Sequence, residues 1–265
     1  MPDFLVPLLA ALAYLAATAS LVGGLRVGRE GSRASLVLAL LGIALHATTH
    51  GLGWARLHGP DLHFFAALSL VALGMAALSS VAAATQRLAA LGVIVYPLAA
   101  ALVLLYHFAG HGHPEALGWR LQLHAWLALL AYAALAVAAL VAVMLWFQER
   151  ALRQRKLHDW LRALPPLVQM EALLFRSLAA SFVLLTLALI TGVVFVENLL
   201  AQHLWHKTVL SALSWLVLAA LLFGRWRYGW RGPRAVKLTL TAMLLLGLAF
   251  FGSKFVLEML LGKSL

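Results

Sequence analysis

The chain has 265 residues, 64% of them hydrophobic and only 11% charged, and a mean hydropathy of +0.95. That composition excludes a soluble domain and points to an integral membrane protein. There is no cysteine, which excludes disulfides and thiolate metal sites. The net charge of +11 is not a nucleic-acid signature here, because no soluble basic and aromatic module exists to carry such binding.

In chain order, apolar runs suited to a hydrocarbon core about 30 Å thick lie near 4–25, 34–53, 63–84, 88–106, 119–147, 173–199, 206–224 and 235–260. The first, in MPDFLVPLLAALAYLAATASLVGGLRVGR, lacks a basic leading region, carries Asp3 and is long enough to span. It reads as a first transmembrane helix, not a signal peptide. The fifth run exceeds the core thickness, and its tail QERALRQRKLHDWLRA reads as a basic amphipathic helix stopped by Pro165-Pro166. No repeat of 20–50 residues and no separating linker is visible, so 1–265 reads as one domain. The expected fold is an all-α integral membrane protein, a bundle of eight transmembrane helices. Fifteen Lys and Arg flank one set of helix ends and five the other, which places the N- and C-termini outside.

With that orientation, ten of eleven histidines fall at or near the outer face: His46, His50, His58, His63, His107, His111, His113, His124, His203 and His206. Only His158 is cytoplasmic. Ionisable residues inside a membrane are functional hypotheses by default, and neutral imidazole is the commonest metal ligand. At 1.5 Å rise per residue, His46 and His124 reach comparable depths in the outer half of the bilayer, and His206 opens the seventh span. His46 and His50 share one helix face, so they cannot ligate opposite sides of one macrocycle. A bis-histidine haem needs ligands on different helices, which His46 with His124, or either with His206, could supply. Arg56, Arg120 and Lys207 break the orientation rule beside this belt and suit carboxylates such as haem propionates. Glu197 could orient a ligand histidine.

Blander readings stand beside these. His107, His111, His113, His58 and His63 read as solvated loop or helix-end residues, and intramembrane His46 and His124 could simply bond neighbouring helices. The pairs His46/His50 and His203/His206 also have spacings that suit Zn²⁺ or Cu²⁺, although carboxylates are scarce nearby. Trp54, Trp119 and Trp205 at one side, and Trp226 and Trp230 at the other, read as aromatic belts, and Gly192 as a packing point. No nucleophile–base pair, phosphate-binding glycine loop or paired carboxylates are present, so the chain does not read as an enzyme.

The strings RYGWRGPRAVKLTLTAMLLLGLAFFGSKFV, HKTVLSALSW and LQLHAWLALLAYAAL, together with LPPLVQMEALLF, resemble the cytochrome c assembly protein family, in its eight-span CcsA/HemX-type branch of bacterial inner-membrane proteins. The resemblance covers essentially the whole chain. It implies haem handling at the outer face of the inner membrane, with haem b held by histidines as axial iron ligands. The family's positions fall on His46, His124 and His206, and Lys207, Thr208, Ser211 and Trp215 match the rest of the seventh-span motif. Haem-delivering members carry a segment of the form W-G-x-x-W-x-W-D, which no loop here contains. The expected function is therefore haem transport, haem handling or cytochrome c biogenesis. The candidate cofactor-binding residues are His46, His124, His206, His203, His50, Arg56, Arg120 and Lys207. Expected partners are haem, membrane lipids, and cytochrome biogenesis or other membrane proteins. The alternatives are a b-type cytochrome in electron transfer, a scaffold, or a metal-ion-binding protein. A transmembrane electron path is poorly supported, because the inner half holds no histidine but His158.

Overall fold

The computed structural model describes residues 2–27, 32–86, 89–109, 117–154, 165–195 and 205–260. Among them there is no strand, and eight helices are long and apolar enough to cross a membrane. They are α1 (Pro2–Arg26), α2 (Arg33–Leu57), α3 (Phe64–Gln86), α4 (Gly92–Ala109), α5 (Trp119–Arg153), α6 (Leu167–Phe195), α7 (Trp205–Tyr228) and α8 (Pro233–Gly247). The α8 ladder continues into π-helical segments at Leu248–Gly252 and Phe255–Leu260. All eight expected spans are present. The sixth begins earlier than its apolar run, because Pro165-Pro166 supplies the helix start and Leu167 follows at once. The expected amphipathic tail continues α5 as far as Arg153, and its remainder lies outside the described residues.

The described residues form two compact units, residues 1–116 with 155–170 and residues 117–154 with 171–265. In the first unit α1 packs on α2 and α4, and α3 packs on α2 and α4. At its centre is Tyr14, fully buried and stacked on Tyr96 at 6.0 Å between ring centroids. The ring fits because α2 presents Gly42, where a Cβ would stand 2.8 Å from Tyr14 Cδ1. The α2 start is fixed by a reciprocal Ser32/Ser35 capping box, Ser35 N donating to Ser32 Oγ at 3.0 Å.

In the second unit, side-chain donors tie neighbouring helices to one another's backbone. Ser181 Oγ donates to the Ala131 carbonyl (3.0 Å) and Ser214 Oγ to that of Ala242 (2.8 Å). Tyr132 donates to the Leu246 carbonyl, at the junction where α8 becomes π-helical. Trp215 Nε1 donates to Thr186 Oγ1 (2.8 Å) while its ring stacks on Phe182. Polar side chains serve this purpose between helices in an apolar medium, each contributing about 0.6 kcal/mol. The α7–α8 turn requires glycine at Gly229 (φ 66°) and Gly232 (φ 61°). A bond from Trp230 N to the Gly224 carbonyl (3.2 Å) closes the α7 terminus.

Gly42→Ala is expected to destabilise the protein by about 1–3 kcal/mol through overpacking against Tyr14. Gly51→Ala, on the same helix with open space around its Cα, is expected to be neutral or stabilising by up to about 1 kcal/mol. Thermal unfolding midpoints of the two variants in one detergent check this contrast.

Candidate functional site

In the first unit the α2 histidines join a polar chain. His46 is 0% exposed, with Nδ1 3.3 Å from Tyr14 Oη and Nε2 2.8 Å from Ser69 Oγ of α3. His50, one turn later, places Nε2 3.0 Å from the same Ser69 Oγ and stacks on Tyr106 of α4 at 4.5 Å. Beyond α2, Tyr106 donates to Asp61 Oδ2 (3.5 Å), and Asp61 Oδ1 is bonded by Nδ1 of His63. Burial pushes the Asp61 carboxyl up, but hydrogen bonding and charge from His63, with a smaller contribution from His50, hold it below its ordinary value near 3.8. The ionised carboxylate only accepts, so His63 Nδ1 carries the proton. His63 Nε2 is buried without a hydrogen-bond partner among the described residues, beside Tyr106 and Phe65.

In the second unit a cavity of about 190 Å³ opens between α5, α6, α7 and the end of α8. Ala128, Ala188, Gly192 and Ala249 keep its walls thin, Tyr132 and Phe250 give it aromatic surface, and Lys207, Thr208 and Ser211 supply its polar end. His124 of α5 lines it. Its Nδ1 lies 2.9 Å from the Ala188 carbonyl, an oxygen that can only accept, so that nitrogen carries the proton. The imidazole Nε2 is then the basic nitrogen, the tautomer suited to ligate a metal. Gly192 makes room for this ring: a Cβ there would lie 3.1 Å from His124 Cε1.

The other anticipated site residues are placed as follows. Lys207 lines the cavity, whereas His206 is absent from its lining and lies edge-on to Trp205. Arg120 is exposed, with its guanidinium over Trp119 (5.6 Å) and Phe195 (5.9 Å). Arg56 is exposed in the last turn of α2, His58 ends that helix with φ 56°, and His107 packs near Phe4. His111, His113, His158, Glu197 and His203 lie outside the described residues. His46 and His50 belong to the first unit, His124, His206 and Lys207 to the second. Among the described residues no group of three or more metal-ligating His, Asp or Glu side chains forms. Sequence reading missed Asp61, Ser69 and Tyr106, and it set His63 aside as a loop residue. The available signal was Asp61 itself, one of nine acidic residues in the chain and two positions before a histidine.

These features define a class: an all-helical, multi-pass membrane protein whose transmembrane helices carry oriented histidines, one beside a small-residue cavity. The chain belongs to the cytochrome C assembly protein family, whose pattern matches residues 61–261. It is 37% identical over 138 residues to the inner membrane protein YpjD of Escherichia coli (strain K12), covering 52% of each chain. It is 38% identical over 144 residues to an uncharacterized 28.8 kDa protein of Azospirillum brasilense (54% of this chain, 53% of the relative). A cytochrome c biogenesis protein CcsA, from Prochlorococcus marinus (strain MIT 9215), is 34% identical over 92 residues (33% of this chain, 29% of the relative). The chain thus spans about half the length of the first two relatives and less of the third. No solved structure matches. The family, the eight spans and the inner-membrane relative place the protein in the bacterial inner membrane as a multi-pass protein.

Ser69→Ala removes the hydroxyl shared by two imidazoles and is expected to cost about 1–3 kcal/mol of stability. Because the Asp61 carboxyl is depressed in the folded state, its contribution is fully present above its unfolded value and is lost as pH falls through the lower, folded value. Unfolding midpoints measured from pH 6 down to pH 3 are expected to fall more steeply for the parent protein than for Asp61→Asn.

Proposed function

We propose that the protein handles haem as part of cytochrome c biogenesis, with the His124 cavity as the point where haem is held. The observation that carries this reading is the fixed tautomer of His124, whose Nδ1–H bond to Ala188 leaves Nε2 basic at a cavity wall. Family membership and the likeness to a cytochrome c biogenesis protein support the process.

The residues present fit haem in their donor chemistry. His124 offers a nitrogen for the iron, and Ala128, Ala188, Leu185 and Leu189 offer an apolar face. Lys207, Thr208 and Ser211, at successive positions of one α7 face, suit a carboxylate edge. About 190 Å³ is less than the roughly 300–1,000 Å³ of pockets that enclose a drug-sized ligand, so the cavity would receive part of the macrocycle. Bound haem supplies an iron centre and an apolar plane with two propionates. The protein's work is to bind, orient and exclude water: Ala188 and Gly192 position the imidazole, and Tyr132 fixes the α8 backbone carrying Ala249 and Phe250. His206 and His203, the histidines next to the cavity-lining Lys207 in sequence, would be the further candidates to hold the haem. In the first unit His46 has hydroxyl partners at both nitrogens, which favours a role in that unit's polar chain over ligation.

Purified parent protein is expected to bind added haem and show a Soret band. His124→Ala should weaken that affinity at least tenfold or so, on the scale of losses at metal-supporting histidine positions. Gly192→Leu should weaken it too, by crowding the ring, whereas His46→Ala should leave the spectrum in place. Absence of haem binding by the parent, or an unchanged affinity in His124→Ala, sinks the assignment.

A further inference from the structure

The second unit carries another cavity, of about 290 Å³, where the C-terminal turns of α5 meet the start of α8. Its lining is Trp146, Glu149, Arg150, Arg153, Gln154 and Pro233. From Leu121 to Phe147 α5 carries no charged residue, and Gln148-Glu149-Arg150 ends that run. A 35-residue helix is about 50 Å long against a hydrocarbon core of about 30 Å, so α5 must leave the bilayer at one end. The cavity sits at that exit: Trp146 belongs to the apolar run, and Arg150 and Arg153 lie beyond it.

The charges around it are unevenly used. Arg225, at the same end of the unit, is paired with Glu171 (2.7 Å) and stacked over Phe175 (4.6 Å). Arg150 instead lies over the Trp146 ring at 5.5 Å, and among the described residues neither it nor Arg153 has a carboxylate within ion-pairing distance. Glu149, the one acid in the lining, has its carboxylate beside Gly232 at the α8 N-cap, where the helix dipole favours it. The cavity therefore has an apolar side built by Trp146 and Pro233 and a cationic rim built by two arginines. Exposed aromatic residues mark the same end, Trp226 at 81% and Tyr228 at 65%. Such rings sit at headgroup level.

We propose that this cavity is a binding site for the headgroup of an anionic phospholipid, its phosphate between Arg150 and Arg153 and the upper part of an acyl chain against Trp146. The shape explains the residue types. Guanidinium groups match phosphate in paired geometry, which a lone ammonium cannot, and a tryptophan at the hydrocarbon boundary covers the glycerol region of a seated lipid. Zwitterionic lipid lacks the net charge that two adjacent arginines with no carboxylate partner among the described residues select.

Native mass spectrometry of the full chain, released from detergent with phosphatidylglycerol or phosphatidylcholine, tests this. The parent is expected to retain one phosphatidylglycerol in preference to phosphatidylcholine. R150Q/R153Q should lose that preference by about 25-fold in affinity, since each basic side chain near an anionic surface is worth about fivefold. R150K/R153K should keep part of it, and Arg227→Gln, a same-end arginine over Tyr228, should keep all of it. Retention in R150Q/R153Q equal to the parent overturns the proposal, as does equal retention of the two lipids. Displacement of phosphatidylglycerol by millimolar inorganic phosphate also overturns it, by showing a free-anion site without a lipid component. The expected Soret band in all four proteins keeps this outcome separate from the fate of the His124 assignment.

Discussion

A polar hydrogen in the interior of this protein has no water to turn to, and that constraint organises both units. Leaving such a group unsatisfied in an apolar medium costs several kcal/mol, so most buried hydroxyls and imidazoles here bond a neighbouring helix or their own, with the Ser79 hydroxyl an exception among the described residues. Thr49, Ser80 and Thr239 bond back to the carbonyl one turn earlier. Ser181, Ser214, Tyr132 and His124 instead reach across to the backbone of a facing helix. Such reach requires close approach of the helices, and the small residues at these contacts, Ala131, Ala242, Ala188 and Gly192, permit it.

The kind of acceptor then decides what a histidine can do. In the first unit the partners of His46 and His50 are hydroxyls, which donate or accept with equal ease. Ser69 has one proton to share between two imidazoles, so the direction of the whole chain from Tyr14 to His50 can reverse without moving a heavy atom. In the second unit the partner of His124 is a carbonyl, which accepts only. The tautomer is set there, and Nε2 is left as the basic nitrogen of a cavity-lining residue. Asp61 acts on His63 as Ala188 acts on His124, but Tyr106 and Phe65 crowd the His63 ring where the second unit has a cavity.

The fold was readable because span length and hydropathy are imposed by the bilayer, residue by residue, along the chain. Helix starts and ends were less readable where local backbone chemistry overrode hydropathy, as at Pro165-Pro166 and at the Gly229–Gly232 turn. For the site, the clustering of histidines at one set of helix ends drew notice to His124 and Lys207. It did not separate His124 from His206, one lining the cavity and the other set against Trp205. That difference depends on the rotation of α7 about its axis, which hydropathy leaves open in a helix apolar on most sides. Ser69 and Tyr106 were invisible for another reason. A lone serine in an apolar helix ordinarily bonds its own backbone, and only the packing of α3 on α2 turns this one toward two imidazoles.

The departure of α8 from regular helix bears on how the cavity wall is built. A π segment shifts the backbone ladder by one residue, which leaves a carbonyl without its usual amide and swings the following side chains around the axis. Tyr132 donates to the Leu246 carbonyl just before that segment, and Ala249 and Phe250 within it are cavity wall. One end of the wall is thus set by α5 twice, through Tyr132 and through His124 two turns earlier. Helix α5 carries the imidazole and, through Tyr132, holds the backbone that leads into Ala249 and Phe250.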